Sequence, residues 1–210
     1  MRRIFLDIGA HDGRTTRSVL AFPYRFDHVF CFEPQPFLCQ QIRQIADPRV
    51  TACEFGLGAT TGPVTLYRGG RLDSASLYAT KRFHGPVRTE PVHLVRASEW
   101  FAWHLLEDDF VVARMNCEGA EVDILEDLFA SGESRKLHGL AVVFDIQKVA
   151  GQEHRETAIR AQLPRIPRVF VLTDRDARRL GADYLATWMR VILEEGPCDS
   201  SPSSPDPGST

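Results

Sequence analysis

The sequence predicts an α/β domain: a mostly parallel sheet with helices on both faces and a β-rich insert. Three observations carry that prediction. Short apolar runs alternate with segments whose apolar residues recur at helical spacing. The first run, Arg3-Ile4-Phe5-Leu6-Asp7-Ile8, enters a polar turn bracketed by Gly9 and Gly13, as a buried strand does when it leads to a helix N-terminus over a ligand. Asp7, Glu33, Asn116, Glu118 and Asp145 all fall at the carboxyl ends of expected strands, where such sheets bind their ligands.

Taken in order, the first strand is followed by a short helix over Thr15–Phe22, with Pro23 at its exit. His28–Pro34 is the second strand. Pro36–Ala46 is a helix with Phe37, Leu38, Ile42 and Ile45 on one face, and Val50–Phe55 is the third strand. The insert spans about 62–97, with strands at Val64–Tyr67 and Val92–Val95 and a long polar loop between them. Ser98 is expected to cap a helix containing Trp100, Phe101 and Trp103, an aromatic group read as core, with a sugar-stacking face as the alternative. Phe110–Met115 is the fourth strand, Ala120–Ala130 a helix stopped by Gly132, and Leu140–Phe144 the fifth strand. Helix over Glu153–Leu163 and strands at Arg168–Leu172 and Tyr184–Leu193 complete seven strands in a single domain, 1–195. Residues 196–210 are Pro, Ser, Asp and Gly without apolar periodicity and read as a disordered tail.

Composition excludes several classes. A chain of 210 residues, 43% hydrophobic and 25% charged, suits one globular domain. A formal net charge of −3 gives no basic footprint for nucleic acid. Five cysteines without a C-x-x-C pair point to buried thiols in a reducing cytosol. No leader-like or membrane-spanning run occurs, so neither membrane nor nucleic acid is an expected partner.

The glycine turn and Glu33 belong together. Glu33 follows Gly13 by 20 residues, the interval at which a carboxylate meets the ribose of a bound nucleoside. The Gly-x-x-x-Gly spacing is not that of a dinucleotide site, and Asp7 and Asp12 would repel a pyrophosphate. Acids and small residues favour a cationic sulfonium, which points to S-adenosyl-L-methionine over NAD.

At this point the sequence resembles a known family. Asp7-Ile8-Gly9-Ala10-His11-Asp12-Gly13, Phe32-Glu33-Pro34, Ser74-Ala75-Ser76-Leu77 and Arg114-Met115-Asn116-Cys117-Glu118-Gly119-Ala120-Glu121 are similar to motifs of the FkbM-type S-adenosylmethionine-dependent methyltransferases, over about positions 4 to 147. The resemblance implies a Rossmann-like class I methyltransferase fold with a final antiparallel strand. It also implies O-methylation of a hydroxyl on a sugar, glycoconjugate or small natural product. By the same resemblance Asp7 and Gly9 line the methionine end of the cofactor, and Ala10, His11 and Gly13 also bind it. Glu33 holds the ribose and Pro34 also binds the cofactor, Gly56 and Leu57 lie near the adenine, and Asn116 and Glu118 face the methyl group and acceptor. This chain has His11 where Asn is usual, Asn116 where Asp is usual and Arg114 where Lys is usual. It begins directly at the first strand, without the upstream helical segment, so an open site or a covering partner is expected.

Methyl transfer to a hydroxyl needs a positioned acceptor and a base. Glu118 and Asp145 are the favoured bases, with His11, Asp12 and His84 as further candidates. Glu118, Glu121, Asp123 and Asp145 could be read as a Mg²⁺ set, but Asn116 and the helical offsets speak against it, and no metal is expected. Arg68, Arg71, Lys81, Arg82 and Arg88 make the insert basic, a solvated loop or an anion-recognition surface. The alternative functions are an NAD-dependent oxidoreductase and a catalytically degenerate cofactor-binding module.

Overall fold

In a computed structural model, residues 1–21, 25–70, 75–172 and 188–190 are described. The main sheet has six strands among them, all parallel: β1 (Arg3–Ile8), β2 (His28–Phe32), β3 (Val50–Cys53), β8 (Phe110–Met115), β9 (Leu137–Val143) and β10 (Val169–Leu172). Their spatial order is β10-β9-β8-β1-β2-β3. The order reverses between β1 and β8, so the connections leaving those strands diverge to opposite faces and leave a crevice at their carboxyl ends.

Alternation along β1 sets the two layers. Ile4, Leu6 and Ile8 point into one buried cluster, with Trp100, Phe101, Val122, Leu125 and Leu140, under α3 (Ala97–His104), α4 (Glu121–Ser131) and α5 (Glu153–Arg160). Phe5 points the other way, to Val19, Phe26, Val29 and Ile42 under α1 (Arg14–Ala21) and α2 (Pro36–Arg43). Both faces are covered, which is why these strands read as largely apolar runs rather than alternating ones. Gly132, at φ +80°, ends α4 in the left-handed conformation expected of a glycine stop.

The insert is a second sheet rather than a loop with two short strands. It comprises β4 (Gly56–Gly58), β5 (Gly62–Arg68), β6 (Ala75–Ser76) and β7 (Arg88–Arg96), in the order β4-β7-β5-β6. The strand expected at Val92–Val95 therefore begins at Arg88 and takes four residues from the expected loop.

Four expectations change. Ser98 does not cap α3; the Asp127 carboxylate on α4 accepts its N–H at 2.7 Å and also takes the Arg96 guanidinium at 2.7 Å, so the cap comes from another helix. The fifth strand starts at Leu137, before the expected Leu140. Of the seventh strand expected at Tyr184–Leu193, only Trp188 to Arg190 are described, and these are helical; Trp188 packs 6.0 Å from Phe5. The remainder of that segment and the 196–210 tail lie outside the described residues. Trp100 and Phe101 are core, but Trp103 is 76% exposed. No helix among the described residues is long and apolar enough to cross a membrane.

Candidate active site

The turn after β1 is shaped by one close approach. Gly9 has φ +81°, and a Cβ there would stand 2.1 Å from the carbonyl oxygen of Asn116. Only glycine lets the ends of β1 and β8 come this near. Asn116 donates its N–H to the Ile8 carbonyl at 3.1 Å, and the Arg114 guanidinium closes over the turn, donating to the Gly9 carbonyl at 2.8 Å.

The backbone N–H groups of the turn are nearly all committed within the protein. Gly9 and Ala10 both donate to the Phe32 carbonyl at the end of β2, at 3.1 and 3.0 Å. His11 donates to Glu33 Oε2 at 3.0 Å, Gly13 to the Ala10 carbonyl at 2.9 Å, and Arg14 to Asp12 Oδ1 at 3.2 Å. A pyrophosphate is bound by such N–H groups when they are free and converge on it. Here five of them face protein acceptors.

Above the turn is a cavity of about 360 Å³ in the β1/β8 crevice. Gly9, Ala10, His11, Glu33, Pro34, Gly56, Leu57, Asn116 and Glu118 line it, so the structure gathers nine of the twelve residues singled out from the sequence. The insert contributes Leu66, Ala75, Leu77 and Leu94, which close one side with apolar surface.

Three of the twelve do not reach the cavity. Asp7 shares a strand face with Phe5 and is fully buried; it accepts the Thr16 hydroxyl at 2.8 Å and Arg114 at 3.3 Å. Burial pushes its carboxyl up, and the Arg114 charge offsets part of that. Asp7 thus fixes α1 and Arg114 rather than touching a ligand. Gly13, at φ +78°, makes the turn into α1, where its carbonyl accepts Arg17 N–H at 2.9 Å. Asp145 is 2% exposed and pairs with Lys148 at 2.5 Å.

Glu33 is buried at the end of β2. Its Oε2 takes His11 N–H, and its Oε1 takes Gln35 N–H at 3.0 Å and Gln35 Nε2 at 3.4 Å. Burial outweighs these donors and pushes its carboxyl up. A carboxylate has about four acceptor positions, so capacity remains for hydroxyl donors from the cavity.

Three further polar atoms at this cavity are buried and have no protein partner among the described residues: His11 Nε2, Gln35 Oε1 and Asn116 Oδ1. Buried polar atoms are normally satisfied, so a cluster of unsatisfied ones in a single crevice marks a place for ligand. Two of the three are amide oxygens, which accept and cannot donate. With Glu33, the set calls for a ligand that brings hydrogen-bond donors. Gln35 carries no motif signal; it could have been found only by noticing that the residue two beyond a strand-end acid sits over the same crevice.

At the end of β8, Glu118 has φ +57°, a conformation uncommon for a side-chain-bearing residue. Ser76 of the insert holds it there, its hydroxyl donating to the Glu118 carbonyl at 2.7 Å. The Glu118 carboxylate pairs with Lys81 of the insert. Glu121 organises the neighbouring strand ends. Its buried carboxylate accepts N–H groups from Gly119 at 2.8 Å, from Asp145, and from Ile146 at 3.1 Å, and burial pushes it up to about 7. Asp123 is engaged by Tyr78 and Arg155. The acids weighed as a metal set are therefore each committed elsewhere, and no three His, Cys, Asp or Glu side chains among the described residues form a metal cage. Of the insert's basic residues, Lys81 and Arg68 have carboxylate partners, Arg68 meeting Glu90 at 3.1 Å. His84 is exposed and does not line the cavity.

No family model matches the chain, and no curated protein does. Among solved structures, the chain is similar to the methyltransferase FkbM from Methylobacillus flagellatus KT, at 18% identity and a TM-score of 0.49, over 79% of this chain and 38% of that one. The chain thus spans well under half of that structure's length, and a likeness of this size carries no weight for activity.

Proposed function

We propose that the protein is an S-adenosylmethionine-dependent methyltransferase of the FkbM type, methylating a hydroxyl on a sugar, glycoconjugate or small natural product. The observation that carries the cofactor is the acceptor-rich cavity: Glu33, Gln35 Oε1 and Asn116 Oδ1 offer oxygen acceptors above a turn whose N–H groups are already spent. S-adenosylmethionine brings ribose hydroxyls, an ammonium and an adenine amine as donors. A dinucleotide would need the N–H groups that Phe32, Glu33, Ala10 and Asp12 have taken, which disfavours the oxidoreductase reading. The acceptor class rests on the motif resemblance.

Each residue has a definable task on this reading. When bound, the cofactor supplies an electrophilic methyl group. Glu33 accepts from the ribose diol while holding the His11 and Gln35 backbones in place. Gln35 and Asn116 accept from the ligand's remaining donors, and His11 Nε2 adds a polar contact on the same side. Gly56 and Leu57 offer a flat apolar edge to the base, with Leu94 packed behind the glycines. Glu118, partly exposed at the cavity, receives the proton of the acceptor hydroxyl. The apolar residues of the insert keep water away from that exchange.

Isothermal titration with S-adenosylhomocysteine tests the cofactor. Binding to the wild type, with affinity lost in Glu33→Ala, is the expected result. Absence of binding to the folded protein, or NADH binding in its place, sinks the proposal. Mass spectrometry of acceptor mixtures incubated with methyl-labelled cofactor then tests the hydroxyl acceptor. Cofactor binding without transfer to any hydroxyl compound would mark a degenerate binding module.

A further inference from the structure

Glu118 and Lys81 come from parts of the chain 37 residues apart, yet their pairing is built in from several sides. The Lys81 side chain is 2% exposed. Its backbone is fixed by its own N–H to the Tyr78 carbonyl at 3.2 Å, by a bridge to Val149, and by the next N–H, of Arg82, to the Lys148 carbonyl at 3.1 Å. Tyr78 is tied down in turn, donating its hydroxyl to Asp123 at 2.8 Å and accepting from Arg155 at 2.9 Å. A buried ammonium is costly, and a methionine in the same space would hold the insert down without that cost.

Glu118, in contrast, retains 26% of its side-chain surface and lines the cavity. We propose that Lys81 is a positioning residue for the chemistry of this cavity, holding the Glu118 carboxylate in place and aimed at the acceptor from the insert side. The inference rests on the reading of Glu118 as the proton-receiving group. The charged groups facing Glu118 are Lys81 from the insert and the Asp145–Lys148 pair beyond β9. Burial is the largest influence and leaves the Glu118 carboxyl raised, with Asp145 adding to it; the Lys81 charge is the leading influence in the other direction, toward the carboxylate that can take a proton. Ser76 complements it by fixing the backbone of the same residue. The insert is then a working part of the site as well as its wall.

The test is a ¹³C NMR titration of the full chain labelled at the glutamate carboxyl, with the Glu118 resonance assigned by its loss in Glu118→Gln. The expected result is a wild-type Glu118 that is ionised at pH 7. Lys81→Met raises its titration midpoint by about one pH unit, a tenfold change in its proton affinity, and Lys81→Arg restores it. Saturating S-adenosylhomocysteine moves the Glu118 resonance in the wild type, which a pair that merely staples the insert to β8 would not permit. A midpoint unchanged in Lys81→Met, a Glu118 already neutral at pH 7 in the wild type, or a resonance indifferent to the bound ligand overturns the inference. If Lys81→Met does not fold, Lys81→Gln takes its place, and a Glu118 midpoint unchanged in that variant overturns the inference. Failure of S-adenosylhomocysteine to bind the wild type refutes the proposed cofactor, while the titration midpoints still decide the role of Lys81.

Discussion

Replacing Gly9 with alanine tests the geometry on which the whole crevice depends. Two costs should add. The residue sits at φ +81°, where an L side chain costs about 1–2 kcal/mol. The new Cβ would also lie 2.1 Å from a backbone oxygen that cannot swing aside. The ends of β1 and β8 must therefore part, straining the Asn116–Ile8 hydrogen bond, worth about 1 kcal/mol, and the Arg114–Gly9 bond from a charged donor, worth about 1.5–3 kcal/mol. The expected total is about 4 kcal/mol, a large part of the roughly 5–15 kcal/mol that holds a domain together. Gly151 supplies the control. Its φ of +79° is nearly the same, but a Cβ there meets nothing within 4 Å, so Gly151→Ala should cost only the conformational part, about 1–2 kcal/mol. Urea unfolding of both variants followed by circular dichroism, with the slopes compared to confirm a common unfolded state, measures the difference. If Gly9→Ala costs no more than Gly151→Ala, the close approach of the two strands is not what requires glycine here.

Gln35→Leu should leave stability within about 1 kcal/mol of wild type, because it removes a buried oxygen without a partner among the described residues and one long bond, from Nε2 to Glu33 at 3.4 Å. It should also weaken S-adenosylhomocysteine binding about tenfold by titration calorimetry; unchanged affinity would remove Gln35 from the site. Glu121 has a folded-state value of about 7, above its unfolded value near 4.5. The folded protein therefore binds more protons between those values, and the stability it contributes is present below about pH 4.5 and lost as pH rises through 7. Unfolding free energies at pH 5 and pH 8 should show a fall of roughly 2–3 kcal/mol attributable to Glu121, and Glu121→Gln should flatten that slope even if its overall stability is lower. Trp100→Ala should cost about 3–5 kcal/mol and Trp103→Ala under about 0.5 kcal/mol, measured by thermal or urea unfolding, because only the first is buried.

The parts of the fold that the sequence made legible share a physical character. Strands buried on both faces show as apolar runs, such as Ile4–Leu6 and Phe110–Ala113, and Gly132 marks a helix end because a left-handed terminus favours glycine. What stayed hidden depended on distant residues. The three-residue β4 is held by Leu94 to Arg96 of β7 and has no periodicity of its own. The cap of α3 is Asp127, 29 residues away, so Ser98 looked like a cap although its own N–H is the group being capped. In the site, the glycine turn and Glu33 could be recognised because local chain geometry requires them. The buried role of Asp7 was available in principle, since it alternates with Leu6 and so shares the face of Phe5, but an acid before a glycine turn invites a ligand-binding reading. The partner of Glu118 could not be foreseen, because Lys81 reaches it only through the folded insert.

The pairing of Gly58 with Arg96 has a consequence for how such a protein can change over time. The chain leaves the crevice side of the molecule and returns to it at one doorway, so everything between those two residues hangs from a closed hinge. Lengthening or replacing that handle costs little in chain closure, because the entropy of a loop grows only slowly with its length. One wall of the cavity could be remade by exchanging the handle alone, provided that a serine and a lysine still arrive at Glu118, while the wall built from the glycine turn and Glu33 is inherited intact.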